Sequence, residues 1–185
     1  YLLPRPVELH DTNAITHDNI RKVVGLLKAS FTHLIIDLSK TYSPIDMAAI
    51  ESASKVVLVT QLDLPCLRNV VRLMMSFEEM EDLKDKVEIV VNRAGLESGQ
   101  ISLKKAKETL GREVFALLPN DYRTMVEVRN NGVPLIVQAP RAGITHAIRE
   151  LASKLDGANQ RQGDNSDAAS KGTESKWKKF WPGIK

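Results

Sequence analysis

Four short stretches of the chain hold residue types that could do chemistry. Leu34-Ile35-Ile36-Asp37 puts an acid at the end of an apolar run. A carboxylate leaving a buried strand can accept hydrogen bonds from a magnesium-bound water beside phosphates, or it can simply cap the next turn. Asn92-Arg93-Ala94-Gly95 follows another apolar run. An Asn amide there is both donor and acceptor and can read a purine edge, or it can satisfy the backbone of a turn. Leu118-Pro119-Asn120-Asp121 ends a third run with a proline and two polar side chains, which ordinary turn chemistry also explains. Thr60-Gln61-Leu62-Asp63-Leu64-Pro65 places polar groups before a helix, where they could approach an anion, although Asp63 as an N-cap is the simpler account.

These stretches need elements to carry them. Thr16 to Ser30 reads as a helix with Thr16 as N-cap and Ile20, Val23, Val24 and Leu27 on one face. His33 to Leu38 reads as a buried strand, Asp46 to Ser54 as a short helix and Lys55 to Thr60 as a second strand. Asp63 caps a helix predicted to run to Leu83, with Pro65 in its first turn and Leu67, Val70, Val71, Met74 and Phe77 as its buried stripe. Lys86 to Asn92 and Glu113 to Leu118 are the third and fourth strands, around a helix from Leu103 to Leu110 capped by Ser102 and ended by Gly111. Helices from Tyr122 to Asn130 and from Ala142 to Leu155 complete the body. Strands apolar on both faces, alternating with helices, predict an α/β fold: a mostly parallel sheet flanked by helices on both faces. In such sheets ligands gather beyond the carboxyl ends of the strands, where Asp37, Thr60 to Asp63, Asn92 to Gly95 and Pro119 to Asp121 all fall.

Composition narrows the classes. The chain has 185 residues, is 43% apolar and 26% charged, and suits one domain with a tail. No apolar run approaches the roughly 18 residues of a membrane-spanning helix. One cysteine, Cys66, excludes an internal disulfide, and four scattered histidines offer no metal-ligand spacing. Cys66 sits in the first turn of its helix but has no neighbouring His in sequence and reads as packing. The last ten residues hold four of the 26 bases and no acid, so the remainder is near neutral, with 22 bases against 23 acids. A nucleic-acid partner, which would want a basic patch on the folded part, is therefore disfavoured.

Gly157 to Ser175 lacks apolar periodicity and reads as a flexible linker. Residues 176–185 form a basic aromatic tail. In it, Trp177, Phe180 and Trp181 among Lys178 and Lys179 suit an anionic membrane surface or a docking partner. There is no G-x-x-x-x-G-K-[ST] and no G-x-G-x-x-G in the 185 residues. Tyr1-Leu2-Leu3-Pro4 reads as the end of a strand, so an upstream part is expected.

The order of these pieces resembles the carboxyl-terminal part of the MinD/ParA family of deviant Walker ATPases, most of all its Flp pilus assembly branch, the CpaE/TadZ type. FTHLIIDLS (from Phe31) resembles the family's Walker B strand. ASKVVLVTQLDLPCLRNVVRLM (from Ala53) is the most specific match, followed by VEIVVNRAG, ISLKKAKETLGREVFALLPND and NNGVPLIVQAPRAGITHAIRELASKL. The resemblance covers about residues 31 to 156 and implies a P-loop NTPase fold truncated at the amino end, with 1–156 as the carboxyl-terminal part of the nucleotide-binding domain. It implies an ATPase that forms a homodimer around ATP and Mg2+ and positions pilus or secretion components, in the cytoplasm or peripherally at the inner membrane or cell pole. Asp37 would hold the magnesium through water. Asn92, Arg93, Pro119, Asn120 and Asp121 would border the adenine. The phosphate loop would precede Tyr1, so this chain alone is expected to bind ATP weakly and to be inactive. Asp37 is followed by Leu-Ser-Lys-Thr-Tyr-Ser, a departure from the family's small or proline-containing turn. That departure admits a non-catalytic localisation or scaffold module as the alternative, with a DNA-partitioning ATPase as a weaker third.

Overall fold

The computed structural model describes residues 1–4, 14–39, 42–80, 83–96 and 99–157. Its elements run α1 (His17–Ser30), α2 (Pro44–Ser52), β1 (Val56–Thr60), α3 (Leu64–Glu78), a 3-10 turn (Lys84–Lys86), β2 (Val87–Ala94), α4 (Leu103–Leu110), β3 (Ala116–Pro119), α5 (Tyr122–Asn131), α6 (Leu135–Gln138) and α7 (Gly143–Leu155). The fold is the expected α/β type, a parallel sheet flanked by helices. The strand order is β1-β2-β3, and β2 runs parallel to β3. The chain divides into two compact units, residues 1–56 with 80–86, and residues 57–79 with 87–185.

The second unit is organised by β2. Val90 and Val91 are fully buried and Ile89 almost so, as expected of a central strand apolar on both faces. On β3, Val90 pairs with Ala116 and Val91 with Leu117. The next matched pair is Ala94 with Pro119, so two residues of β2, Asn92 and Arg93, stand opposite Leu118 alone. That is a β-bulge, and it falls where the strand leaves the sheet.

Helices of this unit follow the stripes read from sequence. Asp63 caps α3 by accepting the Cys66 N–H at 2.8 Å, and Leu67, Val70, Met74 and Phe77 are buried, with Val71 half-buried. The helix stops at Glu78, short of Leu83. Ser102 caps α4, and Gly111 ends it at φ 63°, a left-handed C-cap that glycine adopts without a Cβ penalty. α4 lies against α3, and α7 lies against β3, where Lys154 Nζ donates to the Phe115 carbonyl at 3.2 Å. The four-residue helix α6 sits inside the resembling stretch from Asn130 but has no periodic signal of its own.

The first unit pairs α1 with α2. Arg21 donates to the Glu51 carboxylate at 2.8 Å, and Lys28 to the Ser52 carbonyl. The stripe expected on α1 is narrower than its sequence spacing: Val24 is buried, Ile20 and Leu27 are half-buried and Val23 is exposed. Residues 33–38 correct the sequence reading more sharply. They form no strand, and Ile35, Ile36 and Asp37 are exposed. A strand exists only through its ladder, and among the described residues nothing pairs with this segment.

What holds the chain just after Asp37 is a buried carboxylate on α2. Asp46 accepts from the Ser39 N–H at 3.1 Å and hydroxyl at 2.6 Å, and from the Ser43 N–H and hydroxyl, both at 2.8 Å. Ser43 in turn accepts the Asp46 N–H, closing a capping box. Burial alone would raise the pKa of Asp46, but the serine hydroxyls and backbone N–H groups outweigh it and hold the carboxyl below its ordinary value. Burial, then the Asp46 charge, pushes the neighbouring Tyr42 phenol up, and Tyr42 itself adopts φ 50°.

Leu67→Ala should cost about 3 kcal/mol in chemical denaturation, because it leaves a cavity under α3. Met75→Ala, on the exposed side of the same helix, should stay within about 0.5 kcal/mol. A depressed carboxyl pKa contributes stability that is complete above the unfolded value and is lost as pH falls through the folded value. The Ser39 and Ser43 N–H groups, both bonded to Asp46, should therefore lose hydrogen-exchange protection on acidification below about pH 4. Asp46→Asn should lower stability at neutral pH and flatten that acid dependence.

Candidate functional site

The bulge at Asn92-Arg93 removes backbone groups from the ladder, and buried or half-buried polar groups must find other partners. The Arg93 N–H donates to Asn92 Oδ1 at 2.9 Å. The Arg93 carbonyl accepts from Gln100 Nε2 at 2.9 Å. The N–H groups of Gly95 and Leu96 both donate to Gln100 Oε1 at 3.1 Å. The Ala94 carbonyl accepts the Asn120 N–H at 2.9 Å. Arg93 adopts φ 54°, a left-handed conformation costly for a side chain with a Cβ, and it persists because these bonds over-determine the turn.

The side chain of Arg93 then crosses to the neighbouring strand exit, where Nε donates to Asn120 Oδ1 at 3.3 Å. The exits of β2 and β3 are thereby joined twice, once through Ala94 and once through Arg93. The exit of β1 is joined as well: the Ile101 N–H donates to the Leu62 carbonyl at 2.8 Å, next to Gln100. Three hydrogen bonds and the Gln100–Ile101 peptide bond thus link Leu62, Ile101, Gln100, Arg93 and Asn120 along the carboxyl ends of three adjacent strands. Sheets of this class place ligands at that edge.

The candidate residues divide within this rim. Asn92 and Asn120 are half-buried and Arg93 is exposed. The Asn92 amide oxygen is used on the Arg93 backbone, which is the turn chemistry weighed for it, so its Nδ2 end is what it can offer a ligand. Pro119 is buried as the last residue of β3. Asp121 is the N-cap of α5, accepting the Thr124 N–H at 3.1 Å. Asp63 is likewise a cap, and Thr60 is buried. Burial and the adjacent Asp63 carboxylate push the Cys66 thiol pKa up, so it stays protonated and packs, as expected. Asp37 belongs to the other unit and is exposed within the unpaired 33–38 segment. Trp177, Lys178, Lys179, Phe180 and Trp181 lie outside the described residues, as does the linker after Gly157.

The donor set suits a purine edge better than a metal. Two Asn amides and a guanidinium supply N–H groups that purine ring nitrogens can accept. Among the described residues no group of three or more His, Cys, Asp or Glu gathers to hold a cation. Asp37, the expected holder of a magnesium-bound water, lies in the other unit. Gln100 escaped the sequence reading altogether. Its only signal is its place just before a capped helix, and its bonds to residues four to seven positions back depend on a turn that sequence does not specify.

No protein-family model matches the chain. A septum site-determining protein MinD of Thermotoga maritima is 23% identical over 189 residues, covering all of this chain and 69% of that protein. Among solved structures, a ParA family ATPase from Chlorobium tepidum superposes with a TM-score of 0.76 at 21% identity, over 81% of this chain and 62% of that one. The MinD of Pyrococcus horikoshii, solved with Mg-ADP, gives 0.71 at 20% identity, over 86% of this chain and 65% of that one. The chain thus spans just under two thirds of the length of these two solved ATPases. It is similar in sequence to MinD, and it has the fold of the MinD/ParA ATPases.

Proposed function

We propose that the chain is the adenine-binding portion of a MinD/ParA-like ATPase, its purine side formed by the joined exits of β2 and β3. The observation that supports this reading most is the bulge at Asn92-Arg93, with Arg93 hydrogen-bonded to Asn120 across the two exits. Bulges at strand ends re-aim side chains, and here the re-aimed groups are amide and guanidinium donors at the edge where α/β sheets bind ligands. The Mg-ADP in the Pyrococcus MinD supports ATP and Mg2+ as the cofactors, with Asn92, Arg93 and Asn120 toward the base; the role of Asp37 in holding a magnesium-bound water rests on the resemblance of its own segment to a Walker B strand. Pro119 and Asp121 contribute by fixing the β3 exit, one as strand end and one as helix cap.

The role extends this reading. The stretch from Ala53 to Met74 resembles the Flp pilus assembly branch, so the ATPase acts in assembling or positioning a Flp-type pilus or secretion system, as a homodimer, in the cytoplasm or peripherally at the inner membrane or cell pole. No helix among the described residues is long and apolar enough to cross a membrane. The tail at 176–185 supplies a reversible peripheral contact: its lysines are drawn to anionic headgroups and Trp177 and Trp181 to the interface.

Three variants of the full-length protein test the base-reading role in an ATP titration. Asn92→Ala should weaken affinity about tenfold while leaving the protein folded. Asn92→Asp keeps an oxygen that accepts the Arg93 N–H, replaces the Nδ2 donor with a negatively charged acceptor, and should weaken affinity at least as much. Asn120→Ala should do the same by releasing Arg93. Unchanged affinity in all three would reject the reading, and tight binding without turnover would favour the scaffold alternative. A peptide of residues 170–185 should bind anionic vesicles at low salt and release as salt rises, and no binding at low salt removes the membrane role.

A further inference from the structure

We infer that Gln100 is the positioning residue of the strand-exit rim, holding the Asn92-Arg93 bulge so that Arg93 reaches Asn120. Both ends of its amide are engaged on the turn. Oε1 accepts from Gly95 and Leu96, and Nε2 donates to the Arg93 carbonyl. No single-function side chain replaces this. The carbonyl of Arg93 needs a donor, and the two N–H groups need an acceptor. Those three bonds close the turn on the far side of Arg93 from Asn92, whose own oxygen closes the near side. With both sides fixed, Arg93 holds φ 54° and its guanidinium points at the β3 exit. Removing Gln100 frees three backbone groups at once, and the left-handed conformation at Arg93 then has no reason to persist.

The position of Gln100 is itself pinned. The next residue, Ile101, donates its N–H to the Leu62 carbonyl at the exit of β1, and Ser102 caps α4 by accepting the Lys105 N–H. Gln100 therefore transmits the placement of the β1 exit and of α4 to the bulge. Its role in the rim stands on this geometry alone. Only its effect on nucleotide affinity rests on the reading given under Proposed function.

The test uses the full-length protein and two variants, with two readouts. Gln100→Met keeps the length of the side chain and removes donor and acceptor. Gln100→Glu keeps the acceptor for Gly95 and Leu96 and loses the donor to the Arg93 carbonyl. In backbone hydrogen exchange, Gln100→Met should speed exchange at Gly95 and Leu96 about tenfold. It should also speed exchange at Asn120, whose N–H is bonded on another strand. Gln100→Glu should retain protection at Gly95 and Leu96 and still loosen Asn120. If Asn120 exchange is unchanged in both variants, Gln100 merely caps a local turn and the inference is overturned. The second readout is titration with ADP and magnesium. Gln100→Met should weaken binding about tenfold with an unfolding midpoint close to that of the unaltered protein. If the unaltered protein binds no ADP, the nucleotide reading fails, and the exchange at Asn120 still decides the role of Gln100. If ADP binds and Gln100→Met leaves its affinity unchanged, the positioning role in nucleotide binding is overturned even though the nucleotide reading survives.

Discussion

One extra residue in β2 organises the carboxyl edge of this protein. Where Asn92 and Arg93 together oppose Leu118, the ladder cannot satisfy the backbone. Four side-chain bonds and one bond from a neighbouring strand exit replace it. One of the side-chain bonds comes from Asn92, and the other three, from Gln100, close the rest of the turn. The cost is a left-handed Arg93, and the return is a guanidinium aimed along the sheet edge instead of away from it. A regular strand end would have left the β2 and β3 exits as two separate turns.

The other unit solves a related problem with an acid. The segment through Asp37 has no ladder among the described residues, and Ser39 and Ser43 beyond it are held instead by Asp46 in the first turn of α2. Four hydrogen bonds converge on that carboxylate, two from Ser39 and two from Ser43. A buried acid with so many donors stays charged, and it ties the chain two residues beyond Asp37 to a helix. In both units, then, polar side chains that look like ordinary turn and cap residues fix where the chemically interesting ones stand.

Much of the fold was legible from pattern. Asp63, Ser102 and Gly111 mark helix ends by rules that act within four residues, and the stripe on α3 is a matter of spacing, so these agreed closely. Ser43 and Asp46 form a capping box that the sequence displays as S-x-x-D, and with Pro44 at the first helical position it starts the helix two residues before the predicted Asp46. The apolar run at Leu34 to Ile36 misled for a different reason. Its composition is that of an inner strand, but a strand is a relation between two segments, and no paired segment stands beside it among the described residues.

What the amino-acid order determined by itself is local: helix starts and stops, the apolar runs, the absence of a glycine-rich phosphate loop within these 185 residues, and the alternation that makes an α/β sheet. Only the tertiary structure decided that Asn92, Arg93 and Asn120 share one rim, that Asp121 is a cap, and that Gln100 matters at all. The reason is physical. Capping and periodicity are set by neighbours a turn away, whereas the register that creates a bulge is set by how β2 and β3 meet across more than twenty residues of intervening chain. A single residue of slippage there would remove the bulge and leave the two strand exits as separate turns.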